Sequence, residues 1–174
     1  MRPMLDPLSF NKIYKIWLIG FMGCGKSTLG AVLAKALGYK FLDTDLQISA
    51  QEGFSVAQIF KEKGEHYFRD LEKSLVAQIE QVPSPLVIAT GGGLPLHAPL
   101  QGTIIHLHLD FESLYIRLLN DPNPRPLFKD KESLFTLYQQ RAPLYERMAA
   151  LNLDAQGTPK DLALQIMGFL APKA

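Results

Sequence analysis

The stretch GFMGCGKST (residues 20–28) directly follows the apolar run IWLI (residues 16–19) and opens a segment of helical periodicity. Gly20, Gly25, Lys26 and Ser27 stand at the spacing G-x-x-x-x-G-K-[ST], between a strand and a helix as a phosphate-binding loop requires. Glycines let backbone N–H groups converge on phosphate oxygens, and a helix N-terminus adds a favourable dipole. Gly23, Cys24, Gly25, Lys26, Ser27 and Thr28 are therefore candidate nucleotide-binding positions. Lys26 reaches toward the β- and γ-phosphates, and the Ser27 hydroxyl is a candidate Mg²⁺ ligand. A glycine-rich turn that merely contains a lysine is the plainer alternative, and the placement between strand and helix argues against it. The loop leaves open whether the γ-phosphate of ATP or GTP goes to water or to an acceptor.

Outward from this loop, strands and helices alternate. The apolar run at residues 13–19 reads as a strand buried on both faces. Leu29, Val32, Leu33 and Ala36 set the period of a helix over residues 26–37 that stops at Gly38. A short strand at 40–42 ends at Asp43, followed by helices at 44–52, 56–63 and 65–81. Strands are expected at 86–90 (LVIAT), 103–109 and 151–153, and helices at 111–119, 132–149 and 159–170. Phe111, Tyr115, Leu118 and Leu119 are expected to face the core. Three prolines and mixed charge between Asn120 and Lys131 predict a mobile loop there. Such alternation implies one α/β domain with a parallel sheet, helices on both faces, and ligands at the carboxyl ends of the strands.

The 174 residues are 47% hydrophobic and 20% charged with net charge +1, ordinary values for a soluble domain. No basic excess points to nucleic acid or a membrane surface. The single cysteine excludes an internal disulfide framework and suits a reducing compartment, so a cytoplasmic protein is expected. Residues 1–12, interrupted by Pro3 and Pro7, lack the apolar core of a signal peptide and are expected to be a flexible extension, with the domain spanning 13–174. Cys24, near a helix N-terminus, is either a reactive thiol or a small residue filling a tight turn.

Four features bear on the acceptor. Asp43-Thr44-Asp45 ends a strand: two carboxylates can divide between hydrated Mg²⁺ and an acceptor hydroxyl, or Asp43 or Thr44 can simply cap the next helix. Within GEHYFRDLE (residues 64–72), Arg69 is placed to project toward the site and to pair with Glu72, although a surface salt bridge would look the same. Gly91-Gly92-Gly93 after a buried strand suggests a backbone close to ligand, or a flexible turn. Arg141 offers a planar fork for a carboxylate, or is a solvated charge.

Taken together, GFMGCGKST, FLDTD, Ile59-Phe60, Gly64-Glu65, Phe68-Arg69, Glu72, GGG, RPL at residues 125–127 and RAPLYE from Arg141 resemble the shikimate kinase family over nearly the whole chain. The resemblance implies a three-layer α/β/α P-loop kinase fold with about five parallel strands and a mobile lid near 120–131. It implies ATP as co-substrate, Mg²⁺ as cofactor, and transfer of the γ-phosphate to the 3-hydroxyl of shikimate in the chorismate pathway. By position, Asp45 becomes base or orienter for the shikimate hydroxyls, and Arg69 and Arg141 hold the carboxylate, with Glu72 orienting Arg69. Gly92 and Gly93 close on the ring, and Lys26 and Arg125 neutralise the moving phosphoryl group. Ser27 and Asp43 serve Mg²⁺, and Pro159 packs on adenine. A monomer acting on small molecules is expected, without nucleic acid or membrane. The chain has RPLF where the family often has RPLL. Arg117 lies eight residues before Arg125, near but not on the family's adenine-stacking position, and stays unassigned.

Another small-molecule kinase, for gluconate or a nucleoside monophosphate, and a nucleotide-binding module without chemistry are the rivals. Lys26, Asp45 and Arg125 together speak against the module. His106-x-His108 has metal-pair spacing but reads as ordinary strand sequence, and His66 and His97 as exposed residues.

Overall fold

All five residues of Lys15–Ile19 (β1) are buried, four of them without measurable exposure. Successive strand side chains point to opposite faces, so burial of all five requires cover on both sides of the sheet. The computed structural model describes residues 15–122 and 130–172. The extension expected at residues 1–12, the first two residues expected in β1, and Arg125 with most of its loop lie outside the described residues.

The remaining elements are α1 (Lys26–Leu37), β2 (Lys40–Asp43), α2 (Thr44–Glu52), α3 (Val56–Gln81), β3 (Leu86–Ala89), α4 (Leu94–His97), β4 (Thr103–His108), α5 (Phe111–Leu119), α6 (Lys131–Met148), β5 (Leu151–Asp154) and α7 (Pro159–Leu170). The strands form one parallel sheet in the order β2-β3-β1-β4-β5. α1 packs beside α7 and over β2 and β3, while α6 packs on β4 with α5 alongside. The expected α/β layering is thus observed.

Register decides where the functional loops begin. Leu18 of β1 pairs with Ala89 of β3, which pairs with Asp43 of β2. Gly20, Gly91 and Asp45 each stand two residues beyond this shared row, so two loops and the first turn of α2 leave the sheet at one level and meet above it.

Helix boundaries follow local chemistry. Asp43, Ser55, Asp110, Asp130 and Thr158 cap α2, α3, α5, α6 and α7 with their side chains, whereas α1 starts from Gly25 with no side-chain cap. Uncapped first-turn N–H groups need another acceptor, which a phosphate can be. Gly64, at φ 84° and ψ 168°, breaks α3 where the sequence separates two helices. α4 is an element the sequence reading missed; four residues are too few to show a period. On α5 the buried stripe is Phe111, Leu114 and Leu118, while Leu119 is 57% exposed. The expectation for Leu119 is corrected: it lies one position off the i, i+3, i+7 stripe.

Candidate active site

The two loops and α2, with α3 beside them, enclose a cleft of about 770 Å³ above β1, β2 and β3. Met22, Gly23, Gly25, Lys26, Ser27 and Thr28 line one end. Lys26 is buried, and its Nζ donates to the carbonyls of Gly20 at 2.8 Å and Phe21 at 3.0 Å. The ammonium is thus held inside the loop, satisfied by carbonyls that an anionic oxygen can replace.

Ser27 Oγ donates to Asp43 Oδ2, and Asp43 Oδ1 accepts from the Leu46 N–H at 3.0 Å. Asp43 is therefore both a helix cap and the partner of the loop hydroxyl. One hydroxyl and one carboxylate side by side are hard oxygen ligands suited to Mg²⁺, which takes few protein ligands and keeps waters and phosphate oxygens. No group of three or more His, Cys, Asp or Glu side chains able to hold a metal occurs among the described residues. His106 Nδ1 lies 2.8 Å from Asn152 Oδ1, whose amide nitrogen donates to the Glu146 carbonyl. That amide orientation makes His106 Nδ1 the donor, and burial holds its pKa below the ordinary histidine value.

Two predicted nucleotide positions behave differently. The Cys24 thiol is 2% exposed and does not line the cleft; its sulfur accepts from Lys26 Nζ at 3.6 Å. Burial of the thiol supports the turn-filling reading of Cys24. Pro159 stands at the first turn of α7, outside the cleft lining. Arg117, left unassigned from sequence, lines the cleft and donates from Nη1 to the Gly23 carbonyl at 3.3 Å. Its approximate spacing from Arg125 was the only sequence signal.

At the other end Arg69 and Glu72 are buried, Glu72 completely, so the surface salt-bridge alternative falls. Arg69 Nη1 donates to Glu72 Oε2 at 2.7 Å and Nη2 to Glu65 Oε1 at 3.1 Å. The guanidinium also lies near the faces of Phe60 and Phe68. Burial pushes the Glu72 carboxyl up to about 7 despite the opposing pull of Arg69.

The three glycines are explained by what lies against them. A Cβ on Gly91 would meet Asp45 Oδ1 at 2.6 Å, and one on Gly93 would meet both terminal nitrogens of Arg69 at 2.5 Å. On Gly92 it would meet Arg141 Nη1 at 3.4 Å. The loop thus gathers Asp45, Arg69 and Arg141 around bare backbone. Arg141 is only 6% exposed, and no carboxylate among the described residues forms an ion pair with it. This end of the cleft therefore holds two buried guanidinium groups, of which Arg69 is paired with Glu72 and Glu65 while Arg141 has no acidic partner among the described residues and can meet an anionic ligand.

A family model described as shikimate kinase matches residues 22–171. The chain belongs to the shikimate kinase family. As a member it is an ATP-dependent kinase. A shikimate kinase from Synechococcus sp. is 44% identical over 165 residues, covering 90% of this chain and 82% of the relative. The solved shikimate kinase from Acinetobacter baumannii in complex with shikimate superposes with a TM-score of 0.84 at 32% identity, covering 94% of this chain and 96% of that one. A gluconokinase from Sinorhizobium meliloti shares the fold alone, at 16% identity and a TM-score of 0.59 over 91% of this chain and 93% of its own. The alternation of strand and helix thus belongs to a wider set of P-loop kinases, while the family match is specific. No helix of the described residues is long and apolar enough to cross a membrane.

Proposed function

We propose that this chain transfers the γ-phosphate of ATP to the 3-hydroxyl of shikimate, with Mg²⁺, as a step of the chorismate pathway. The observation that carries the reading is the buried Arg141, without an acidic partner among the described residues, across the glycine loop from Arg69. Two guanidinium groups on one short backbone segment suit a carboxylate fixed to a rigid ring, because each can donate two directed hydrogen bonds.

The phosphate loop and the uncapped start of α1 bind the triphosphate through backbone N–H groups. Lys26 exchanges its loop carbonyls for phosphate oxygens, which brings positive charge to the group that moves. Ser27 and Asp43 would hold Mg²⁺, which when bound neutralises charge on the phosphate oxygens. Arg69, held by Glu72 and Glu65, and Arg141 fix the acceptor carboxylate, and Gly92 and Gly93 lie along the ring. Asp45 meets the acceptor hydroxyl as base or orienter. As the hydroxyl oxygen forms its bond to phosphorus, the bond from phosphorus to the ADP oxygen breaks, and the hydroxyl proton leaves toward Asp45. Arg117 at the Gly23 carbonyl is placed to cover the nucleotide.

The test is coupled detection of ADP release with shikimate, gluconate, nucleoside monophosphates or no acceptor. Release should depend on shikimate. Equal turnover with gluconate, or none above the acceptor-free rate with shikimate, refutes the assignment.

A further inference from the structure

The segment Gly91-Gly92-Gly93 has no side chains with which to hold itself, and glycine is the most freely moving residue in a chain. Its order must come from neighbours. The Gly91 N–H donates to Thr44 Oγ1 at 2.9 Å, and the Tyr145 hydroxyl donates to the Gly92 carbonyl at 2.5 Å. Thr44 and Tyr145 each have 0% exposure. These partners lie 47 and 53 residues away in sequence.

Each anchor sits beside a group already placed at the acceptor. Thr44 precedes Asp45 in the first turn of α2, and Tyr145 stands one turn after Arg141 on α6, on the same helix face. The Tyr145 ring packs against that of the buried His106, with centroids 5.4 Å apart. In a planar trans peptide the carbonyl and the next N–H point in opposite directions. Tying the Gly92 carbonyl to Tyr145 therefore turns the Gly93 N–H the other way. Among the described residues neither Gly92 nor Gly93 donates a backbone hydrogen bond, so both donors stay available. Burial pushes the Tyr145 phenol up to about 12, so it remains a donor at any working pH.

We propose that Thr44 and Tyr145 are positioning residues that clamp the glycine loop from both sides and thereby set the affinity for the acceptor. The clamp rests on the reading that Gly92, Gly93 and Arg141 bind that acceptor. Without either bond the loop samples other conformations. Apparent affinity then falls by the fraction of time the loop is competent, while the nucleotide end is untouched.

The test uses the full chain with Tyr145→Phe, Thr44→Val, Thr44→Ser and Arg141→Lys, in steady-state kinetics and thermal melting. Tyr145→Phe and Thr44→Val should each raise the shikimate KM about 5- to 10-fold, the effect of one lost buried hydrogen bond. The ATP KM and kcat should stay at parental values, and Thr44→Ser, which keeps the oxygen, should restore the parental KM. An unchanged shikimate KM in both Tyr145→Phe and Thr44→Val overturns the proposal. So does a fall in kcat and ATP affinity in step with a lower melting temperature, the mark of a merely structural role. Arg141→Lys separates the acceptor site from the clamp. If it leaves shikimate affinity intact, the acceptor site itself is misassigned; if it weakens affinity while Tyr145→Phe does not, only the clamp fails.

Discussion

Replacing Gly93 by alanine displaces the Arg69 guanidinium without removing a polar atom. Gly93 has φ −87° and ψ −19°, a conformation alanine adopts without strain. The added Cβ would lie 2.5 Å from Nη1 and Nη2 and 2.6 Å from Cζ of Arg69. That is roughly 1 Å short of ordinary contact, so one side must move. The loop is tied through Gly91 and Gly92, whereas an arginine can change rotamer, so Arg69 gives way. Its 2.7 Å bond to the fully buried Glu72 is then lost or badly lengthened. If the acceptor carboxylate relied on this guanidinium, binding weakens by about the worth of one charge-assisted hydrogen bond, ~1.5–3 kcal/mol. That corresponds to about 10- to 150-fold in Kd. Titration calorimetry of shikimate into the ADP-bound protein reads the loss directly. ATP affinity should not change, because the phosphate loop is not involved. Parental shikimate affinity in Gly93→Ala would show that Arg69 is not the carboxylate anchor, and the acceptor-site argument would fall with it.

Gly168→Ala is the matched control, since its Cβ meets nothing within 4 Å on the exposed side of α7; melting should show a gain of about 0.5–1 kcal/mol with unchanged kinetics. Asp45→Asn should cut kcat far more than ATP affinity, and parental turnover would remove Asp45 from the chemical step. Glu72, raised to about 7 by burial, keeps a proton in the folded protein that the unfolded chain gives up from its ordinary value of 4.5. Its contribution to stability is therefore fully present below about pH 4.5, falls as pH rises to about 7 and is flat above, with a slope of at most about 1.4 kcal/mol per pH unit. Melting across that window should be flatter for Glu72→Gln; an identical slope would refute the raised value. Cys24, 2% exposed, should react with a disulfide reagent only on unfolding, and rapid labelling of the native protein would overturn the turn-filling role.

Strand, helix and phosphate loop were legible because their signals are local. The IWLI run, the period over residues 26–37, the glycine stops and the G-x-x-x-x-G-K-[ST] spacing each act within a few residues of chain. The break at Gly64 was legible for the same reason, since a positive φ is a property of one residue. Whether Arg69 and Glu72 form a buried pair or a surface bridge was not, because i, i+3 spacing is the same in water and in a core. Only packing against the glycine loop decided it. Likewise the triplet Gly91-Gly92-Gly93 announces a special backbone but not its cause, which is the approach of side chains from three separate elements. The meeting of the loops depends on the row Leu18, Ala89 and Asp43, and the clamp on bonds spanning 47 and 53 residues. Sequence by itself determined the elements and the chemistry each loop carries, since those arise from neighbours along the chain. Tertiary structure alone decided which charges are buried, what holds the glycines and which side chains meet around the glycine loop, because burial and register exist only between segments distant in sequence.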